Sequence, residues 1–146
     1  TEDYEWWTRE LSRRLAPGTF GENLTVTGLD LGALVIGSRW HVGSAVLEVA
    51  QPRQPCFKLG IRMGDAEFVD RFDAAERFGA YFRIVREGDV GAGDEITTIA
   101  RADGITLAEL GTVTRDVDVA FLERIVADPA VPEGWRDWAA RQLARQ

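Results

Sequence analysis

Arg39-Trp40-His41-Val42-Gly43-Ser44-Ala45-Val46-Leu47-Glu48-Val49-Ala50-Gln51-Pro52-Arg53-Gln54-Pro55-Cys56 is the stretch that decides the fold. β-Prone residues on either side of the Gly43-Ser44 pair predict a tight hairpin of 39–42 against 45–49. Its second strand runs directly into Pro52 and Pro55, which cannot donate to a sheet ladder, so pairing stops and the chain enters a loop with little backbone freedom. That loop carries Cys56, the single cysteine, between Arg53 and Lys58. Lys58 is the only lysine among 17 basic residues. A thiol presented beyond a strand end and flanked by cations suits the rim of a cavity.

Working outward, Tyr4, Trp7, Leu11 and Leu15 recur at helical spacing until Pro17-Gly18 breaks the pattern. Between Gly21 and Gly28 the run Glu22-Asn23-Leu24-Thr25-Val26-Thr27 predicts a short strand with Asn23 at its mouth. Downstream, Asp65 caps a helix through Phe68, Val69, Phe72 and Ala75 that Gly79 ends. Residues 80–86 alternate as a strand, 87–93 turn, and 94–99 return as another. Short strands with glycine corners predict a mainly β fold with α, in which residues 1–102 form a closed or nearly closed β-barrel with flanking helices. Residues 103–146 change character. Thr106 with Glu109 forms a capping-box pattern, a second helix fits 118–127, and Pro132 opens a third through Trp135, Trp138, Ala139 and Leu143. These make a small C-terminal three-helix subdomain.

The balance of 17 basic against 24 acidic side chains gives a net charge of -7, which argues against a nucleic-acid partner and obliges any anionic ligand to find a local basic patch. One cysteine forms no internal disulfide, and no apolar run approaches the roughly 18 residues of a membrane span. A reducing compartment, the cytoplasm, is expected, with no membrane partner. The chain starts at Thr1 with neither a basic start nor an apolar leader, so its natural beginning is expected upstream.

Cys56 admits two readings of about equal weight from its own residues. Free cysteine often serves as a small buried hydrophobe. Against that, Arg53 and Lys58 are the neighbours a thiolate or an anionic ligand wants, which makes Cys56 a soft-metal ligand or nucleophile. Zinc fits poorly, because a structural site draws on four ligands and the chain has one cysteine and one histidine. A Cys56–His41 pair requires the fold to bring the two together. There is no phosphate-binding loop and no dinucleotide fingerprint. Glu22 and Asn23 taken alone read as turn residues, and the five tryptophans with Phe68 and Phe72 read mostly as core.

Taken together, Phe20-Gly21-Glu22-Asn23-Leu24, Ile36-Gly37-Ser38-Arg39-Trp40 and Gln51-Pro52-Arg53-Gln54-Pro55-Cys56-Phe57-Lys58-Leu59 resemble the MOSC domain, named for the C-terminal part of molybdenum cofactor sulfurases. The helical tail with Leu122, Pro132, Trp135, Arg136 and Leu143 resembles the three-helix extension of the YiiM-like branch. The resemblance implies a MOSC-like β-barrel carrying molybdenum cofactor, a pyranopterin dithiolene whose metal takes a protein cysteine, matched here by Cys56. It implies cofactor-binding roles for Asn23, Arg53, Gln54 and Lys58, with Arg62 joining Arg53 and Lys58 in a basic patch for the pterin phosphate. It further implies reduction of small N-hydroxylated substrates such as hydroxylaminopurine bases, with electrons from a separate flavin-containing reductase. The alternatives are a non-catalytic carrier or adaptor for molybdenum cofactor or sulfur, and a thiol redox protein, which a single cysteine serves poorly. Relatives of this kind carry an upstream segment with early barrel strands, so a copurifying N-terminal fragment is expected if that segment is cleaved but retained. The acidic helical face leaves room for a homodimer.

Overall fold

The central hairpin forms where its residues direct. In a computed structural model, which describes residues 1–101 and 103–146, strand β1 (Arg39–Val42) pairs antiparallel with β2 (Ala45–Pro52), Arg39 opposite Glu48 and Val42 opposite Ala45. Trp40 and Val42 point into the core while Arg39 and His41 face water, the alternation of a half-buried strand. β2 is buried on both faces along most of its length, because β3 (Ala80–Arg86) and helices cover it.

The closed barrel expected from the sequence is not formed. Among the described residues the strands make one open antiparallel sheet in the order β3-β2-β1-β4, where β4 is Ile96–Ile99. β4 returns to pair with β1, placing Thr97 opposite His41, and leaves β3 at the other edge. Residues 87–93 cross the hairpin tip and carry the chain from β3, beside β2, to β4, beside β1. The Ser44 amide donates to the Asp89 carbonyl at 3.1 Å, and the Ser44 hydroxyl accepts from the Asp89 amide at 2.8 Å. Gly43 and Gly88 allow this crossing. A Cβ on Gly43, which has φ +55°, would lie 2.2 Å from the Asp89 carbonyl oxygen, and one on Gly88 would lie 2.5 Å from the Ser44 backbone.

The N-terminal helix is α1 (Glu2–Glu10), which buries Trp7. The strand predicted from Glu22 to Thr27 is absent, because its polar groups bond to α1 and to each other instead of to a ladder. Glu2 accepts from the Thr27 hydroxyl and the Gly28 amide, and Glu22 accepts from the Thr25 hydroxyl. The loop after Pro55 in turn holds a helix the sequence reading did not contain, α2 (Phe57–Met63), with Cys56 at its N-cap and Gly64 in the left-handed conformation at its end. Helix α3 (Phe68–Ala74) ends well short of Gly79, with Asp65 accepting from the Glu67 amide at 2.9 Å.

The three C-terminal helices match their sequence signals: α4 (Leu107–Thr112), α5 (Val119–Ala127) and α6 (Glu133–Leu143). The Thr106–Glu109 capping box is complete, and Asp118 accepts from the Phe121 amide. Their apolar faces, with Leu107, Leu110, Leu122, Ile125, Val131 and Ala139, share one core cluster with Ile36 and Val49. Trp135 Nε1 donates to Gln51 Oε1 at 3.0 Å, tying α6 to β2. No helix among the described residues is long and apolar enough to cross a membrane.

Candidate functional site

Two further clusters face each other across a gap. One is aromatic and joins α1, α2 and α3 through Trp7, Phe20, Leu59, Met63, Phe68 and Phe72. Its rings stack and tilt against one another, with Trp7 and Phe72 nearly parallel at 5.7 Å. The other lies on the sheet, where Trp40, Val42 and Leu47 pack with Val26, Leu31, Phe82 and Ile96. Between them opens a cleft of about 530 Å³. Its walls combine Trp7, Phe20, Phe72, Trp40 and Phe82 with the polar side chains of Glu22, Asn23, Arg53 and Arg77. A concave, mostly apolar pocket with a few convergent polar groups is the usual form of a small-molecule site.

Arg53 reaches the cleft because the loop leaving β2 is pinned. Its amide donates to the Gly79 carbonyl at 2.8 Å, and its guanidinium lies over the Phe72 ring at 5.7 Å. Arg77 stacks on Trp6 at 4.8 Å and pairs with Asp3 at 2.8 Å. Asn23 is exposed and also lines the cleft.

Glu22 is the most constrained polar group in the cleft. Its Oε1 accepts from the Tyr4 hydroxyl, from the Gly18 amide at 2.6 Å and from the Thr25 hydroxyl at 3.0 Å. Burial alone would push this carboxyl up, but those donors, Tyr4 first, outweigh it and hold the group below its ordinary value of 4.5. The same contact, with burial the larger cause, raises the Tyr4 phenol. Among the described residues Glu22 Oε2 has no hydrogen-bond partner, nor do Trp7 Nε1 and Trp40 Nε1. Leaving a buried polar atom unmet costs about 1–3 kcal/mol.

The other residues singled out from the sequence lie around this cleft in different relations to it. Cys56 is a free, exposed thiol at the N-cap of α2, three residues past Arg53, and is not itself part of the cleft wall. Its exposure removes the reading of a buried small hydrophobe. Lys58 is exposed in the first turn of the same helix. Gln54 donates to the Gly111 carbonyl at 3.5 Å, toward α4. Arg62 donates through Nε to the Thr19 carbonyl and through Nη2 to the Gly18 carbonyl, both at 2.6 Å, which clamps the loop leading to Phe20 and Glu22. The fold does not bring His41 to Cys56. His41 faces Val46 at the hairpin end of β2, about 20 Å of extended chain before Pro52 and the loop beyond it.

Glu22, Trp7, Trp40 and Arg77 were not legible as site residues. Trp7 lies on an apolar helical stripe and Trp40 on an alternating strand, patterns that announce burial without saying what the indole N–H meets. The signal available was the Gly-Glu-Asn motif itself, which sets Glu22 beside Asn23.

A family profile for the MOSC domain matches residues 1–97. Over 138 residues the chain is 37% identical to the uncharacterized protein YflK of Bacillus subtilis, spanning 92% of this chain and 62% of that protein. Against the protein YiiM of Escherichia coli the identity is 28% over 150 residues, spanning 98% of this chain and 66% of that one. A protein of Gibberella moniliformis named a reductase is 35% identical over 85 residues, 58% of this chain and 15% of its own length. The chain thus spans less than two thirds of the length of these relatives. The crystal structure of YiiM from Geobacillus stearothermophilus superposes with a TM-score of 0.91 at 27% identity, covering 97% of this chain and 74% of that one. With its Pro-Cys loop and Gly-Glu-Asn lip inside the matched residues, the chain belongs to the MOSC domain family, on the side of YiiM.

Proposed function

We propose that this chain binds molybdenum cofactor and reductively deoxygenates N-hydroxylated substrates such as hydroxylaminopurine bases, using electrons from a separate flavin-containing reductase. The observation that carries the reading is the loop from β2 to α2, which within four residues turns Arg53 into an aromatic cleft and leaves the Cys56 thiol open. The name of the fungal relative, a reductase, supports redox chemistry.

The residues present fit such a cofactor. A pyranopterin is a flat fused heterocycle with an anionic tail, and the cleft offers aromatic side chains, the guanidinium groups of Arg53 and Arg77 and the Asn23 amide. Among the described residues no three of His, Cys, Asp or Glu come together, so a metal at Cys56 brings most of its ligands with it. A metal already held by dithiolene sulfurs meets that condition, and a soft thiolate is its natural protein donor.

When bound, the cofactor supplies a two-electron redox centre. The net reaction takes an N-hydroxyl compound, two electrons and two protons, breaks the N–O bond, and leaves the amine and water. Cys56, exposed at the N-cap of α2, would supply the protein sulfur to the metal, with Lys58 exposed in the first turn of the same helix. Arg53 and Asn23, both lining the cleft, would hold the ligand there. Arg62, through the Gly18 and Thr19 carbonyls, positions the loop that carries Glu22.

The test is to make the protein in a host competent for the cofactor and measure molybdenum and pterin per chain. Turnover of 6-hydroxylaminopurine with a chemically reduced viologen as electron source follows. Stoichiometric metal with substrate reduction is expected. Metal without reduction leaves only a carrier, and protein free of molybdenum and pterin ends the reading.

A further inference from the structure

The loop that carries Cys56 is held from one side by the C-terminal helices. The end of β2 is irregular where it pairs with β3: Val49 faces Phe82 and Gln51 faces Tyr81, so Ala50 is an extra residue in the ladder. A bulge of this kind bends its strand and re-aims the side chains beside it. The side chain that follows is Gln51, whose Oε1 accepts from Trp135 Nε1 of α6 at 3.0 Å. The Trp135 and Trp138 rings lie nearly perpendicular at 5.9 Å, and both pack against the core cluster that holds Val49. Packing thus sets the plane of the indole that Gln51 meets.

Downstream, the Arg53 amide donates to the Gly79 carbonyl at 2.8 Å, and Gln54 Nε2 donates to the Gly111 carbonyl at 3.5 Å. That carbonyl lies in the last turn of α4, where a helix has no amide of its own to offer. α4 sits flush against Phe78, next to Gly79, because Gly111 has no side chain: a Cβ there would lie 2.6 Å from the ring. Gln51 and Gln54 therefore bond to two different C-terminal helices, and Cys56 follows two residues after the second.

We propose that Trp135, Gln51 and Gln54 are positioning residues for the Cys56 thiol, through which the C-terminal helices set where the loop leaving β2 presents its sulfur. This rests on the proposed role of Cys56 as a metal ligand. Gln54, which the motif resemblance places at the cofactor, directs its amide to α4 instead. The loop is built to transmit such a tie. With φ fixed at Pro52 and Pro55, a turn of the chain at Gln51 is carried on toward Cys56 with little absorbed between them.

The test compares Trp135→Phe and Gln51→Leu, which each remove one half of the bond and keep most of the bulk, with Gln51→Glu, which keeps an acceptor for the indole. In the unloaded full chain, hydrogen exchange over residues 51–59, followed by mass spectrometry, is expected to quicken roughly two- to tenfold in the first two, the range of one neutral hydrogen bond. The double variant should be no faster than either single one, since both remove the same bond. Gln51→Glu should exchange as the parent chain does. Made in a cofactor-competent host, Trp135→Phe and Gln51→Leu should each hold several-fold less molybdenum per folded chain, and Gln51→Glu the parental amount. Leu122→Ala weakens the same helices without touching this contact, so its metal per folded chain should stay parental. If Trp135→Phe does not fold, Gln51→Leu reads the same bond from the other side. Unchanged loop exchange, additive effects in the double variant, parental molybdenum in spite of quickened exchange, or an equal metal loss in Leu122→Ala overturns the proposal. A parent chain free of molybdenum ends the reading of Cys56 as a metal ligand, while the exchange series still decides whether the helices hold the loop.

Discussion

Glu109 and Glu22 are the same residue in two regions, and the structure treats them differently. In the C-terminal helices, both oxygens of Glu109 are used: Oε2 accepts from the Thr106 amide and hydroxyl, and Oε1 accepts from Arg124 at 3.3 Å. Beside the cleft, one oxygen of Glu22 takes three donors and the other takes none. Burial raises both carboxyls, bonded donors outweigh it, and both finish below 4.5. Where a region exists to hold the fold, its polar groups close on one another. Beside the cleft the Glu22 carboxylate is held through a single oxygen, by three uncharged donors.

The comparison breaks first at the core. Leu122 is fully buried in the cluster shared by α4, α5, α6 and the sheet. Leu122→Ala is expected to lower unfolding free energy by about 2–5 kcal/mol, measured in urea, while each folded molecule still binds the proposed molybdenum cofactor normally. Loss of binding in the folded fraction would show the two regions to be one unit. Thr106→Ala is a smaller test of the same region. It removes the hydroxyl of the capping box and is expected to cost about 1 kcal/mol, again without effect on the cleft.

Acid separates the two glutamates. A carboxyl whose value in the folded chain lies below 4.5 contributes stability that is fully present above about pH 4.5 and is lost as pH falls through the lowered value. Glu22→Gln should remove part of that acid slope, and Glu109→Gln another part. Salt tells them apart, because Glu109 draws on the charge of Arg124 whereas the donors on Glu22 are all uncharged. Raising ionic strength should shrink the effect of Glu109→Gln and leave that of Glu22→Gln as it was. Equal salt sensitivity of the two, followed by acid unfolding, would contradict this assignment.

What was readable from the sequence follows the same division. The hairpin of 39–42 against 45–49, the Thr106–Glu109 box, the helix begun at Asp118 and the Pro132 start are each written in residues next to the structure they specify, and each is found, although β2 runs on through Pro52, which pairs with Ala80 in β3. The features that differed depend on distant residues. β4 chose β1 because Asp89 crosses the Gly43-Ser44 tip, and the Glu22–Thr27 run lost its strand to side chains of α1. α2 is seven residues long, begins beside a proline and ends at Gly64, too short for a periodic pattern to stand out. The cleft was half legible: Asn23 and Arg53 were named, whereas the unpartnered atoms of Glu22, Trp7 and Trp40 emerge only from what is missing around them.

Cys56 offers the smallest expected effect on the fold and the sharpest on function. It occupies the N-cap of α2 with φ -139° and ψ 169°, and its side chain caps nothing. Serine is among the preferred residues at that position, since its hydroxyl can accept from an amide of the first turn. Cys56→Ser is therefore expected to leave thermal unfolding unchanged or raised by a few tenths of a kcal/mol. The oxygen cannot replace a soft thiolate toward molybdenum, so metal content should fall to background while the fold stays intact. Elemental analysis beside calorimetry measures the two separately. Retained metal in a stable Cys56→Ser chain would take the ligand role from this cysteine, whereas loss of metal with unchanged unfolding would assign the thiol to the metal and not to the fold.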